Sequence, residues 1–355
     1  MADARPRITV AIPAYNRPEE IRILLESVLS QDYDSFETLV VEDCSPRQGE
    51  IRAAVAEVAG KFPHRTVRFE SNQKNLGFDG NVRHVLDLAA GEFTLYMGDD
   101  DLLRPGALRR VGEVIESHSN LGVILRAYEQ IDLSTGRQIE IFRYFSSDRL
   151  FPAGVDTIRT FFRRSVSIAG YTVHTESARA VATAQFDGTL LYQLHVSANV
   201  LAKRDGYYVS DVLTAMRKDE RQRHFFGSAE AERGRFSPER LTPEHSVNFM
   251  RGMLEVARES ERRLGLPVYR EILADLSNYS YPFLKLHAKD KLAFARYVRD
   301  LARLGLARSP LFWGYSGALI VLPVSVLDAG IASLKRRLPA TPRLGKVYAG
   351  EDAGR

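Results

Sequence analysis

Apolar positions in the first 130 residues follow two alternating rhythms. Arg7–Ile12 (RITVAI), Phe36–Val41 (FETLVV), Thr66–Glu70 and Phe93–Met97 (FTLYM) are short runs rich in β-branched and aromatic residues, and read as strands. Between them, Glu19–Ser30 sets Ile21, Leu24, Leu25, Val28 and Leu29 at helical spacing. Glu50–Phe62, Asn81–Ala90 and Arg104–Ser117 also read as helices; Gly91 stops the third, and Gly122–Leu125 opens a further strand. Strands separated by helices of this length predict βαβ units. The expected fold is therefore α/β, with a mostly parallel sheet covered by helices on both faces. Residues 131–230 are less regular and rich in aromatic and β-branched types, which predicts a mixed sheet region lining a second pocket. Ser246–Leu264 and Lys289–Leu304 again read as helices. The expected division is a first domain over 1–230 and a helical C-terminal region over 231–355.

In a parallel sheet, ligands bind beyond the carboxyl ends of the strands. Four polar clusters fall there: Pro13–Arg17, Glu42–Ser45, Asn72–Asn81 and Gly98–Asp101. Within the first, Tyr15 suits a nucleobase and Arg17 a phosphate, and the plainer reading is a turn with Asn16 as helix cap. Glu42 and Asp43 can accept from a ribose hydroxyl or a base N–H, or simply cap a turn. Asn75-Leu76-Gly77-Phe78-Asp79-Gly80-Asn81 has two glycines that let a ligand approach the backbone, and Asn81 also suits a helix N-cap. Asp99, Asp100 and Asp101 repel one another, and a cation relieves that. Mg²⁺ is commonly held by one or two carboxylates plus substrate phosphates. Standing alone, the triplet reads as a solvated turn or a helix cap; together with the other strand ends it reads as a site.

The composition is that of an ordinary globular protein. The chain has 355 residues, 45% of them apolar, and 49 basic against 45 acidic side chains give a net charge of +4. That excess is too small to argue for nucleic acid. A single cysteine, Cys44, excludes an intrachain disulfide or a multi-cysteine zinc site. The charge is uneven: residues 251–355 carry 18 basic and 10 acidic side chains, leaving the rest net negative. Leu311–Leu327 contains no charge and precedes Lys335-Arg336-Arg337. Pro323 interrupts this run, and its length is at the lower margin for a membrane span. It fits a segment lying on an anionic leaflet, with soluble packing as the plainer option. Met1–Arg7 is polar and lacks the long apolar stretch of a secretory leader, so the expected location is the cytoplasm, peripheral on the inner membrane face.

The order PAYNR, VVEDCS, NLGFDGN, YMGDDDLLRPG resembles family 2 of the inverting GT-A glycosyltransferases over about residues 7–125. It is most similar to members that build bacterial surface polysaccharides, abequosyltransferase-like and rhamnosyltransferase-like enzymes included. The resemblance implies a GT-A fold, a nucleotide-sugar donor, a lipid-linked or polysaccharide acceptor, and a divalent cation, Mg²⁺ or Mn²⁺. It places Pro13, Ala14, Tyr15, Asn16 and Arg17, with Glu42 and Asp43, at the base and ribose. It places Asn75, Gly77 and Asn81 against the nucleotide or donor sugar, and Asp99–Asp101 on the DxD motif. Where the family often reads L-D-x-D-D, this chain has Gly98 in place of the first Asp. Asp99, Asp100 and Asp101 then remain alternatives for ribose and metal.

Inverting transfer needs a general base for the acceptor hydroxyl. The resemblance implies an Asp in the less regular half; Asp187, Asp156 and Asp205 are the candidates, with Asp187 preferred. Asp187-Gly188 also reads as a turn. His195 reads as a core histidine. In the charged run 217–224, Arg221 or Arg223 suits phosphate and His224 a metal shell, against the plainer reading of a solvated face. Two other functions share an α/β sheet. A nucleotidyltransferase wants a Gly-rich basic loop after the first strand, which Pro13–Arg17 is not. A non-catalytic binding protein finds support only in Gly98.

Overall fold

The computed structural model describes residues 6–132, 135–218, 225–238 and 241–337. The chain divides into two compact units, Met1–Glu239 and Arg240–Arg355.

The first unit runs β1 (Ile8–Ala14), α1 (Pro18–Leu29), β2 (Phe36–Glu42), α2 (Gln48–Lys61), β3 (Val67–Ser71), α3 (Gly77–Leu88), β4 (Phe93–Tyr96), β5 (Asp101–Leu103), α4 (Ala107–Ser117), β6 (Leu121–Asp132), β7 (Gln138–Phe142), β8 (Arg149–Phe151), α5 (Val155–Phe162), β9 (Tyr171–His174), α6 (Thr175–Arg179), α7 (Tyr192–Leu201) and β10 (Asp205–Lys218). The strands form one sheet in the order β3-β2-β1-β4-β9-β6-β10-β5, with β7 beside β6 and β8 beside β10. β3, β2, β1 and β4 are parallel neighbours. β9 runs against both β4 and β6, and β10 is parallel to β6. The expected α/β sheet and the mixed region beyond residue 130 are both present.

Covering helices explain why β1 and β2 are buried along nearly their whole length, and why β1 carries a single polar residue, Thr9. α1 buries Ile21, Leu24, Leu25, Val28 and Leu29, the residues its spacing singled out. These join Ile8, Val10, Ile12, Val40 and the apolar side of α4 in one core.

Two boundaries differ from the sequence reading. α3 starts at Gly77, so Asn81 lies inside the helix, not at its cap. The cap comes from just past the end of β2: the Asp43 carboxylate accepts from the N–H groups of Leu76 and Gly77. A short strand, β5, begins at the last residue of the acidic triplet, and α4 begins three residues later than the pattern suggested.

The second unit is helical: α8 (Pro243–Leu264), α9 (Val268–Asn278), α10 (Tyr281–Leu284), α11 (Lys291–Arg303), α12 (Pro310–Val321) and α13 (Val324–Arg337). Thr242, Asp290 and Ser309 cap α8, α11 and α12 through their side chains. Leu311–Leu327 is thus two helices broken near Pro323. Among the described residues, no helix is long and apolar enough to cross a membrane.

Candidate active site

Parallel pairing of β3, β2, β1 and β4 brings all four polar clusters to one edge of the sheet. Asp99 ties two of them together. It accepts from the Tyr15 N–H at 2.8 Å and from Arg17 at 2.7 Å. Burial pushes Asp99 up to about 6, against the pull of Arg17. Arg17 also reaches Asp100 at 3.4 Å. Its guanidinium carbon stands 5.2 Å from the centre of the Phe225 ring, and Phe225 meets Tyr15 edge-on at 5.6 Å. Asn16 adopts φ 62° and caps nothing; its side-chain oxygen is buried without a partner.

Gly98 shapes the acidic turn. A Cβ there would lie 2.6 Å from Asp101 Oδ2 and 3.2 Å from Asp100 Oδ1. Both carboxylates therefore converge on the space that the missing side chain leaves. Asp101 is buried, and burial raises its carboxyl well above the usual range. Arg217, at the end of β10, is also buried and donates to the Asp100 carbonyl at 2.5 Å. Its Nη1 has no partner among the described residues. Among the same residues, no group of three His, Cys, Asp or Glu side chains is placed to hold a metal ion.

The β2 and β3 ends form a second network. Asp43 accepts from Asn72 at 2.7 Å as well as from Leu76 and Gly77, and burial pushes it up to about 6. Glu42 accepts from the Ser45 N–H, while its other oxygen is buried and unpartnered. Asn81 donates to the Val41 carbonyl and accepts from Asn72. Asn75 accepts from Gly77. Asp43 and Asn81 thus shape the loop from within, and Ala14 and Pro13 contribute backbone at the end of β1.

Asp187 sits across α3, where Arg83 grips it with two hydrogen bonds of 2.7 and 2.9 Å. Burial raises its carboxyl and Arg83 opposes the rise. The turn that carries it is fixed by Asp79, which accepts from Leu190 and Tyr192. Asp156 is instead an exposed residue of α5, paired with Arg159. Asp205 opens β10 at the far edge of the sheet and holds Ala153. His195 is a core residue, hydrogen-bonded to the Val181 carbonyl. Arg221, Arg223 and His224 lie outside the described residues.

Residues 225–238 close over these loops. Glu232 accepts from Phe78 at 2.7 Å and from Gly227 at 2.6 Å. Phe226 meets Phe78 edge-on. Sequence reasoning passed over Arg83, Glu232 and Phe225, because their partners lie far away in the chain. Asp79 stood inside a motif already noted, and only its two N–H donors reveal its task.

A sequence profile described as glycosyl transferase family 2 matches residues 9–168, from β1 to the approach to β9. That stretch of the chain carries a family 2 glycosyltransferase domain. It is 31% identical to an uncharacterised glycosyltransferase of Haemophilus influenzae over 33% of this chain and 37% of the relative. It is also 31% identical to the GalNAc(5)-diNAcBac-PP-undecaprenol beta-1,3-glucosyltransferase of Campylobacter jejuni, over 29% of this chain and 32% of that protein. The chain thus spans about a third of the length of these curated relatives. Among solved structures, Staphylococcus aureus TarS 1–349 in complex with UDP-GlcNAc superposes with a TM-score of 0.57 at 19% identity, over 95% of this chain and 93% of that one. That likeness is one of fold, and it places the family 2 domain in the GT-A architecture.

Proposed function

We propose that this family 2 glycosyltransferase moves a sugar, with inversion, from a nucleotide-sugar donor to a lipid-linked or polymeric acceptor in cell-surface glycan synthesis. The carrying observation is the Tyr15–Arg17–Asp99 knot beside the Asp43 loop, at the carboxyl edge of four parallel strands. The relatives are consistent with this: one is named for an undecaprenol-linked acceptor, and Staphylococcus aureus TarS is named a poly(ribitol-phosphate) beta-N-acetylglucosaminyltransferase.

In this reading Tyr15, Asn75 and the Glu42–Asp43 loop take the base and ribose, and Arg17 and Arg217 face the diphosphate. The acceptor oxygen bonds to the anomeric carbon as the bond to the phosphate oxygen breaks, and Asp187 takes the hydroxyl proton. Release of Asp187 from Arg83 frees the carboxylate for that task. Asp100 and Asp101, which converge at Gly98, are the residues that would hold a divalent cation together with donor phosphate oxygens. It would supply positive charge to the leaving diphosphate. His224 remains a candidate for the same shell.

The helical unit is proposed to rest on the cytoplasmic face of a membrane. Trp313, Ile320, Val321, Leu322 and Val326 are exposed, Trp313 to 55% and Val321 to 77%, and a basic triplet follows them in sequence.

The deciding experiment is calorimetry of the full chain with UDP, GDP, CDP and dTDP, each with Mn²⁺ and without. Metal-dependent binding of one of them is expected. No binding of any sinks the donor assignment. A nucleotidyltransferase would instead bind a nucleoside triphosphate and release pyrophosphate.

A further inference from the structure

Arg126, in the middle of β6, is 1% exposed, yet none of its hydrogen-bond partners is a carboxylate. Its Nε donates to Thr214 Oγ1 at 3.2 Å and its Nη2 to Ser167 Oγ at 3.4 Å. Its Nη1 has no partner among the described residues. The Tyr128 ring lies 5.0 Å from the guanidinium carbon. Asp101 attracts it through space, with no ion pair between them among the described residues.

The fold makes room for this group. Gly170 takes φ +77°, and a Cβ there would lie 2.8 Å from Arg126 Nε and 2.7 Å from a Thr214 methyl. The Gly170 N–H donates to the Tyr96 carbonyl at the end of β4. The guanidinium therefore stands behind the Gly98–Asp101 turn, on the side of β6 and β10.

Burying an ion without compensation costs several kcal/mol, and an apolar side chain of similar volume would avoid that cost. Two neutral hydroxyls satisfy N–H donors but leave the charge. An oxyanion satisfies the third nitrogen and the charge together. The surroundings suit a sugar that carries one. Tyr128 stacks on Phe142 with ring centres 4.7 Å apart at 11°, and Tyr144 stands 6.4 Å from Tyr128. These rings are half-buried, so the margin of the cluster meets solvent.

We propose that Arg126 anchors an oxyanion on the acceptor glycan, either a uronate carboxylate or a phosphodiester, beside Tyr128. The assignment to the acceptor rests on the glycosyltransferase reading; the oxyanion site itself rests on Arg126.

The probes are methyl glucuronide for the carboxylate, glycerophosphoglycerol for the phosphodiester, and methyl glucoside as the neutral control. Binding to the full chain is followed by saturation-transfer NMR for wild type, Arg126→Met and Arg126→Lys. Wild type is expected to prefer at least one anion over methyl glucoside by about tenfold or more, as suits a desolvated charge pair. Arg126→Met should erase the preference, and Arg126→Lys should weaken it, since an ammonium lacks the guanidinium fork. Whichever anion is preferred names the source. Equal binding of charged and neutral probes by wild type overturns the proposal, as does an undiminished preference in Arg126→Met. If Arg126→Met fails to fold, Arg126→Lys decides: a preference equal to wild type overturns it. Nucleoside diphosphate binding is measured on the same samples and should not change. Its absence in wild type counts against the transferase reading alone.

Discussion

Asp79 is a carboxylate sealed from water, held by two backbone N–H groups. Burial raises it from 3.8 to about 7, because desolvation outweighs those donors. Between these values the folded chain keeps a proton that the unfolded chain has released. Its contribution to stability is therefore full below the lower value and is lost as pH rises through the higher. Melting temperatures of the ligand-free chain should fall across that window more steeply in wild type than in Asp79→Asn; parallel curves would reject this. Asp187 invites a kinetic comparison. Asp187→Asn should lower kcat by about 10²–10⁴-fold, the usual worth of a general base, with nucleotide affinity unchanged. A loss of affinity in place of turnover would make it a structural partner of Arg83. Gly98→Ala sets a methyl carbon against Asp101 Oδ2. Metal-dependent nucleotide binding should weaken, while metal-free binding stays; calorimetry with and without Mn²⁺ separates the two.

At the scale of elements, the turn after Phe186 leaves no room for a side chain at Gly188. Gly188 has φ +82°, and a Cβ there would lie 1.9 Å from the Ala231 carbonyl oxygen. Gly188→Ala must displace the 225–238 segment and also meet the left-handed penalty of about 1–2 kcal/mol. Denaturant unfolding should show at least that loss, and amide exchange should quicken at Gly227 and Phe78, whose N–H groups Glu232 accepts. Unchanged exchange would mean the clash relaxes elsewhere. The strands and helices of the first 130 residues were readable because each buries a face, and burial writes a period into the sequence. The start of α3 was not, because its cap is Asp43, in the loop after β2. β5 was not, because three residues carry no period. The same division holds for the site. Tyr15, Arg17 and Asp99 stand in motifs at strand ends. Arg83, Arg217 and Glu232 acquire meaning only from partners that the fold delivers.

At the scale of the molecule, the sheet holds two groups of parallel strands joined by the reversed β9, with β5, β7 and β8 antiparallel to their partners. β3, β2, β1 and β4 bring together the proposed nucleotide loops, whereas β6 and β10 carry Arg126 and Thr214 on the proposed acceptor side. The helical unit keeps large apolar side chains in solvent. Vesicles of phosphatidylglycerol should pull down the full chain more than phosphatidylcholine vesicles do. The double variant Trp313→Asp, Val321→Asp should bind about tenfold or more weakly, since burying one such side chain is worth about 1.5–3 kcal/mol. Equal sedimentation of the variant would leave α12 as ordinary surface. Glu232 carries a consequence for divergence. One carboxylate serves both Phe78 and Gly227, although 154 residues separate Glu232 from Phe78. A lineage that remodels the loop at 75–78 to admit a new donor must remodel 227–232 in step. The two segments should therefore drift as a pair, and a loop grafted without its counterpart should fail where a joint graft succeeds.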